Sequence, residues 1–214
     1  MPPTISIVGR SGTGKTTLLE ALIPELKKRG YRLGVIKHSA HGFDLDREGK
    51  DSSRLFQAGG EVVGLVAPGE TALFRYTPGE MALTEAKRWL GMGLDLVLAE
   101  GFSQTPVTRI EVHRREMGDL LFSPQELWAV VSDEPLDLPV PRFPWSQVAG
   151  LADLIEKTFL RERPPEEVEL YVDGRPVPLA PFIQDLISRT LRGMTSALKG
   201  VGEAKGMEFR LWRR

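Results

Sequence analysis

Apolar positions along this chain recur with two periods, and their alternation outlines the fold. Thr4 to Gly9, TISIVG, is a short β-branched run that reads as a buried strand entering a glycine-rich turn. From Thr16 onward Leu18, Leu19, Leu22, Ile23 and Leu26 fall at helical spacing, and Gly30 stops that helix after the basic turn Lys27 to Arg29. YRLGVIK is a second strand. A polar loop then leads to a short helix from about Asp51, capped by Asp51 or Ser52 and ended by Gly59 or Gly60. Residues 62–76 form two β-rich runs about Pro68-Gly69, the pattern of a hairpin. GEMALTEAKRWLG is helical, LDLVLAE, TRIEV and LWAVVSD are strands, and SQVAGLADLIEKTFL is an amphipathic helix with Ser146 as its expected N-cap.

Strands alternating with helices predict an α/β chain with a mostly parallel sheet flanked by helices on both faces, to which the hairpin is an antiparallel addition. The pattern breaks at RERPPEEVE, where charge and a Pro-Pro pair end the last helix. Beyond it VELYVDGRPVPL resembles a hairpin turning at Asp173-Gly174, PFIQDLISRTLRGMTSALKG a helix and MEFRLWRR a final strand. The expected division is therefore a nucleotide-binding domain over 1–162 and a small C-terminal α+β module over 166–214.

Composition narrows the chemistry. A formal net charge of −1 over 214 residues argues against broad electrostatic binding to nucleic acid or to an anionic membrane. No apolar run is long enough to span a bilayer, and a cytoplasmic location is expected. With no cysteine, disulfides, thiolate metal sites and thiol catalysis are excluded.

GRSGTGKTT, Gly9 to Thr17, satisfies the Walker A pattern in its required setting, after a strand and opening a helix. Glycines let backbone N–H groups curl around phosphate oxygens, and the helix N-terminus adds the positive end of its dipole. Gly9, Ser11, Gly12, Thr13, Gly14, Lys15, Thr16 and Thr17 are thus the candidate nucleotide-binding set, with Lys15 reaching the β- and γ-phosphates and Thr16 ligating Mg²⁺. A second carboxylate is needed near that ion. Asp95 opens the strand LDLVLAE and Glu100 closes it; ligands bind at the carboxyl ends of parallel strands, which selects Glu100.

The base is less determined. Without any asparagine the chain cannot carry the Asn-Lys-x-Asp motif of guanine-specific GTPases. Asp133, at the end of VVSD, offers a carboxylate able to accept from guanine N1–H and the 2-amino group, or else to cap the next turn. The stretch KHSAHGFDLDREGKDSSRLFQAGG, residues 37–60, is similarly open. His38, His41, Asp44 and Asp46 offer N and O ligands for a transition metal. Alternatively the loop leaves the second strand beside the phosphates as a switch or substrate loop. Its carboxylates would then hold Mg²⁺ through water or orient the attacking water, while Lys37, His38, Lys50 and Arg54 hold an anionic group. A plain solvated loop is the third reading.

Together GRSGTGKTTLL, the 37–60 stretch, LDLVLAEGF and RIEVHR resemble the molybdopterin-guanine dinucleotide biosynthesis protein B (MobB) family of P-loop proteins, over most of residues 4–160. The resemblance implies a GTP-binding adapter with weak Mg²⁺-dependent GTPase activity. It would assist the MobA-like guanylyltransferase that joins GMP to molybdopterin, with a molybdopterin-type cofactor as a further ligand, and would work as a homodimer. Onto this chain it carries Gly12, Gly14, Lys15, Thr16 and Thr17 as phosphate-loop residues and Asp44 and Glu100 as the acidic positions, so that Lys15, Asp44 and Glu100 form the expected catalytic set and Thr16, Asp44 and Glu100 the metal set. The exposed edge of the 62–76 hairpin is the expected dimer contact. Family members often have lysine after Glu-Gly-Phe where this chain has Ser103, and Arg109 or Arg114 are the candidates to replace it.

Two other classes use the same loop. A small-molecule kinase needs a cationic lid, for which HRREMG is the candidate; Arg114 and Arg115 read more simply as a solvated strand end, and no arginine finger is identified. A nickel metallochaperone GTPase would join a P-loop to histidines, against which stand the missing cysteines and the missing histidine-rich tract.

Overall fold

A computed structural model of the chain describes residues 2–39, 42, 51–75, 77, 79–90, 93–161, 168, 170–172, 175–199, 207 and 209. Its centre is a six-stranded sheet in the order β2-β5-β1-β6-β7-β8, built from β1 (Thr4–Val8), β2 (Leu33–Lys37), β5 (Leu96–Glu100), β6 (Thr108–Val112), β7 (Ala129–Val131) and β8 (Arg142–Phe143). Every pairing in it is parallel, as the strand-helix alternation predicts. The hairpin β3 (Val62–Ala67) and β4 (Glu70–Arg75) forms its own antiparallel two-stranded sheet about Pro68-Gly69.

Parallel strands buried on both faces require apolar residues at odd and even positions alike, and β5 meets this with Leu96, Val97, Leu98 and Ala99, none of them exposed. On one face Ile5, Ile7, Leu96, Leu98, Ile110 and Val112 pack against α1 (Lys15–Lys28) and α4 (Val148–Ile155). Helical spacing brings Leu18, Leu19, Leu22 and Leu26 of α1 onto that core, and Leu151, Ala152 and Ile155 of α4 complete it. On the other face Leu90 and Leu94 press onto Gly34 beside Val97, just after α3 (Leu83–Trp89). The short helix α2 (Asp51–Gln57) ends as expected, with Gly59 N–H donating to Phe56 C=O and Gly60 N–H to Leu55 C=O.

Three local expectations change. LWAVVSD supplies only the three residues of β7, and the neighbouring edge strand β8 lacks any periodic signal because it is two residues long. The helix in GEMALTEAKRWLG is confined to α3. Ser146 is not the N-cap of α4. It lies inside a 3₁₀ turn, Trp145–Gln147, that Pro144 opens with its fixed φ. α4 instead starts after Gln147 with no side-chain cap, while Trp145 N–H, at the start of the 3₁₀ turn, donates to the Asp133 carboxylate at 2.9 Å.

Beyond residue 169 a second two-stranded sheet, β9 (Leu170–Val172) with β10 (Arg175–Val177), and α5 (Pro181–Ser196) match the expected hairpin and helix. The expected turn residues Asp173-Gly174 and nearly all of MEFRLWRR lie outside the described residues. No described helix is long and apolar enough to cross a membrane.

Arg29, at the end of α1, ties the two core helices together. Its guanidinium meets Glu25 at 3.0 Å, Asp153 at 2.7 Å and Glu156 at 2.8 Å, and Tyr31 Oη donates to Glu156. Arg29 and Tyr31 hold the Glu156 carboxyl below its ordinary value. A depressed carboxylate stabilises the fold above its unfolded-state value and stops doing so as pH falls through the folded one. Glu156→Gln is therefore expected to lower the urea midpoint at pH 7, with the two proteins converging in acid as the carboxylate protonates. Parallel denaturation curves across pH check this.

Candidate functional site

The carboxyl ends of β1, β5 and β2 lie side by side because of their register: Ile7 pairs with Glu100, and Glu100 with Lys37. The P-loop leaves β1 at that edge. Gly9 sits at φ 139°, where a Cβ would fall 2.4 Å from Val112 C=O, so the loop can follow the β6 backbone only with glycine there. Gly14 opens α1 at φ 99°, and a Cβ there would meet the Trp145 ring at 2.8 Å. The Lys15 ammonium folds back onto Gly9 C=O at 2.9 Å and Arg10 C=O at 2.8 Å. Burial pushes Lys15 below its ordinary value, with Glu100 opposing the shift and Lys37 adding to it.

Thr16 Oγ1 donates to Glu100 Oε2 at 2.9 Å, and Glu100 is 8% exposed. Glu100 stands at the carboxyl end of β5, beside Thr16. Asp95 stands at the opposite end of β5, accepting from Arg32 N–H at 2.8 Å and so joining the start of β2 to β5. Lys37 Nζ lies 3.0 Å from Glu100 Oε1 and 3.5 Å from Thr16 Oγ1, so its charge meets the two metal-ligand candidates rather than a free anion site. A hydroxyl and a buried carboxylate that already share a cation fit a hard divalent ion such as magnesium.

His38 Nε2 contacts Glu80 Oε1 at 2.8 Å, and its ring lies 5.2 Å from that of Phe102. Phe102 has φ 54°, an unusual value for a bulky residue, in the turn after Glu100. Next to this turn is an open groove lined by residues 80–84, Phe102 and Thr105. His41, Asp44, Asp46 and Lys50 lie outside the described residues, and among the described ones no group of three metal-capable side chains gathers.

The other flank of the P-loop is formed by HRREMG, which the sequence offered as a cationic lid or, more simply, as a solvated strand end. Arg114 Nε donates to Thr13 C=O at 3.0 Å, and its guanidinium lies 5.1 Å from the Trp145 ring centroid. Met117 packs on Gly12, and Arg10 Nε donates to Asp119 C=O at 3.2 Å. Two buried side chains from RIEVHR hold this segment in place. Glu111, 1% exposed, accepts from Leu121 N–H at 2.7 Å and Phe122 N–H at 3.2 Å; burial pushes its carboxyl up while those amides oppose the shift. His113 Nε2 lies 3.0 Å from Gly118 C=O. Arg109 does not face the P-loop, because its guanidinium binds Ser103 and Thr105 C=O and steadies the turn after Glu100. Of the two arginines offered for an anion contact, only Arg114 reaches the P-loop, because it follows the carboxyl end of β6 beside β1.

Residues 4–133 match the family model for molybdopterin guanine dinucleotide synthesis protein B, MobB. The chain belongs to the MobB family. It is similar to the molybdopterin-guanine dinucleotide biosynthesis adapter protein of Haemophilus influenzae, with 42% identity over 156 residues, 72% of this chain and 88% of that one. The adapter protein of the same description from Escherichia coli is 40% identical over 161 residues, 72% of this chain and 92% of that one. A crystal structure of molybdopterin-guanine biosynthesis protein B superposes with a TM-score of 0.57 at 30% identity, covering 72% of this chain and 98% of that chain. The P-loop, the Glu-Gly-Phe turn and RIEVHR all lie within the matched MobB region.

The tight passage at Gly9 yields a direct test. Gly9→Ala would place a methyl against main-chain oxygen at a strained φ, and it is expected to destabilise the fold by roughly 2–4 kcal/mol. Equilibrium denaturation measures the loss.

Proposed function

We propose that this protein is a GTP-binding adapter in molybdopterin guanine dinucleotide biosynthesis, with a slow Mg²⁺-dependent GTPase activity. The adapter role follows from its membership of a family whose curated relatives carry that description. The observation that supports nucleotide chemistry is the Thr16–Glu100 contact of 2.9 Å beside a lysine held in a glycine loop. Loop amides and Lys15 would neutralise β- and γ-phosphate charge, releasing Lys15 from the Gly9 and Arg10 carbonyls. Thr16 and Glu100 would hold magnesium, which supplies charge neutralisation at the phosphates when bound. Lys37 competes for the same carboxylate, so it would swing away as the nucleotide complex forms. Asp44 joins the metal and water-orienting set through the family resemblance alone. Slow hydrolysis unaffected by small-molecule acceptors separates this reading from a kinase, which would release a phosphorylated product.

Guanine selection is assigned to Asp133. Its Oδ1 takes Trp145 N–H, a bond that steadies the exposed carboxylate at the β7 end, next to the loop that carries Trp145 onto Gly14. A competition titration of GTP against ATP with Mg²⁺ tests the scheme. Lys15→Ala is expected to lower triphosphate affinity by roughly 100-fold. Asp133→Ala is expected to bring GTP and ATP to similar affinity. Unchanged binding in Lys15→Ala would overturn the phosphate reading; a GTP preference that survives Asp133→Ala would remove Asp133 from base selection.

The partners assigned are a MobA-like guanylyltransferase and a second copy of the chain, with a molybdopterin-type cofactor as further ligand. The homodimer reading rests on β3–β4, which pairs with no other described strand and exposes Val62, Leu65, Val66 and Leu73, Val66 by 83%. An isolated two-stranded hairpin is marginal in water, and pairing with another copy would cover it. Val66→Lys with Leu73→Lys is expected to shift the protein from dimer to monomer in sedimentation experiments; a dimer that persists would move the interface elsewhere.

A further inference from the structure

We propose that Arg114 binds the α- and β-phosphates of the nucleotide in cis, with Trp145 as its platform, a role that rests on the nucleotide-binding reading above. Among the described residues four cationic side chains border the P-loop, and three are tied elsewhere: Lys15 to Gly9 and Arg10 C=O, Lys37 to Glu100, and Arg10 to Asp119 C=O. Arg114 is different. Only its Nε is committed to the loop, to Thr13 C=O, while an Nη2 atom lies 3.8 Å from the place a Cβ on Gly14 would take. Thr13 and Gly14 belong to the stretch whose amides cradle the α- and β-phosphates in Walker A loops. The guanidinium charge is therefore fixed beside the loop that forms that cradle.

Charge balance supports the assignment. The ion-pair contact of Arg114 among the described residues is Glu116 at 4.0 Å, whose side chain is 65% exposed, so little opposes its charge there. Trp145 covers the guanidinium on one side and touches Gly14 with its ring, which restricts the rotamers of both groups. The segment behind them is fixed by Glu111, His113 and Arg10 as described, so the charge is placed before any ligand arrives. A planar fork with several N–H donors suits two adjacent phosphate groups better than a point charge does.

Calorimetric titration of Mg²⁺-GTP, Mg²⁺-GDP and Mg²⁺-ATP into the full chain tests this. Arg114→Ala is expected to weaken GTP and GDP by a similar factor, roughly 10- to 100-fold, and ATP by the same factor. Arg114→Gln keeps a donor for Thr13 C=O without the charge, so it should show the same loss while its thermal unfolding matches the parent. Arg114→Lys should recover part of the affinity. Parental affinity in Arg114→Gln overturns the proposal, as does a loss confined to GTP, which would place the charge at the γ-phosphate, or one confined to guanine nucleotides, which would place it at the base. A parent protein that binds none of the three overturns the nucleotide reading and this proposal together, whereas loss in Lys15→Ala with none in Arg114→Gln overturns this one alone.

Discussion

Hydrogen bonding of β5 between β1 and β2 is the constraint on which the carboxyl edge depends. Ile7, Glu100 and Lys37 lie abreast because of that pairing, and the P-loop begins two residues past Ile7. Slipping β5 by one residue would turn Glu100 to the opposite face and bring a neighbour to the position beside Thr16. It would also drive the alternate positions of a strand with no exposed side chain into the wrong core. Burial of Leu96 to Ala99 thus secures a polar contact at the strand's end, and Asp95 anchors the other end through Arg32 N–H.

The P-loop is held from two sides by different kinds of force. Toward β5 the grip is polar and ionic: Thr16 donates to Glu100, which pairs with Lys37, in a partly desolvated corner. Toward β6 it is steric and backbone-directed, with Gly9 against Val112 C=O, Met117 on Gly12 and Arg114 on Thr13 C=O. Ionic contacts can exchange partners with little motion of the main chain, whereas the glycine passages cannot. Rearrangement on ligand binding is accordingly expected on the β5 flank, where Lys37 leads into the polar stretch after β2.

Much of this was legible from residues that obey strong local rules. The Walker A loop is contiguous, needs glycine at set positions and follows a buried strand, so sequence spacing alone located it. Glu100 was reachable from the rule that parallel sheets present ligands at their carboxyl ends. Arg114 was named as a candidate anion contact and as part of a lid, but that it and Trp145 meet at Gly14 follows from the strand order, which their flanking residues do not mark. Asp133 was read as a base acceptor or as a cap of the turn that follows it, and the contact it makes, with Trp145 N–H, lies on a separate loop. Ser146 misled because a Ser before a periodic run looks like a cap, whereas here a Pro-led 3₁₀ turn precedes α4 and no side chain caps it. The two-residue strand β8 carries too little side-chain pattern to be read at all.

The placement of β1 at the middle of the sheet has a consequence for how the chain is made. Thr4 pairs with Val97 and Ile5 with Thr108, so β1 waits for partners that emerge far later, while the β3–β4 hairpin closes on itself with neighbours nearby. Closing such long loops costs entropy before any contact repays it, which slows the search. During translation the P-loop segment would leave the ribosome well before the strands that shape it, and its apolar run TISIV would stay uncovered for the whole of that interval. The residues that define the site most sharply in sequence are therefore among the last to acquire their structure.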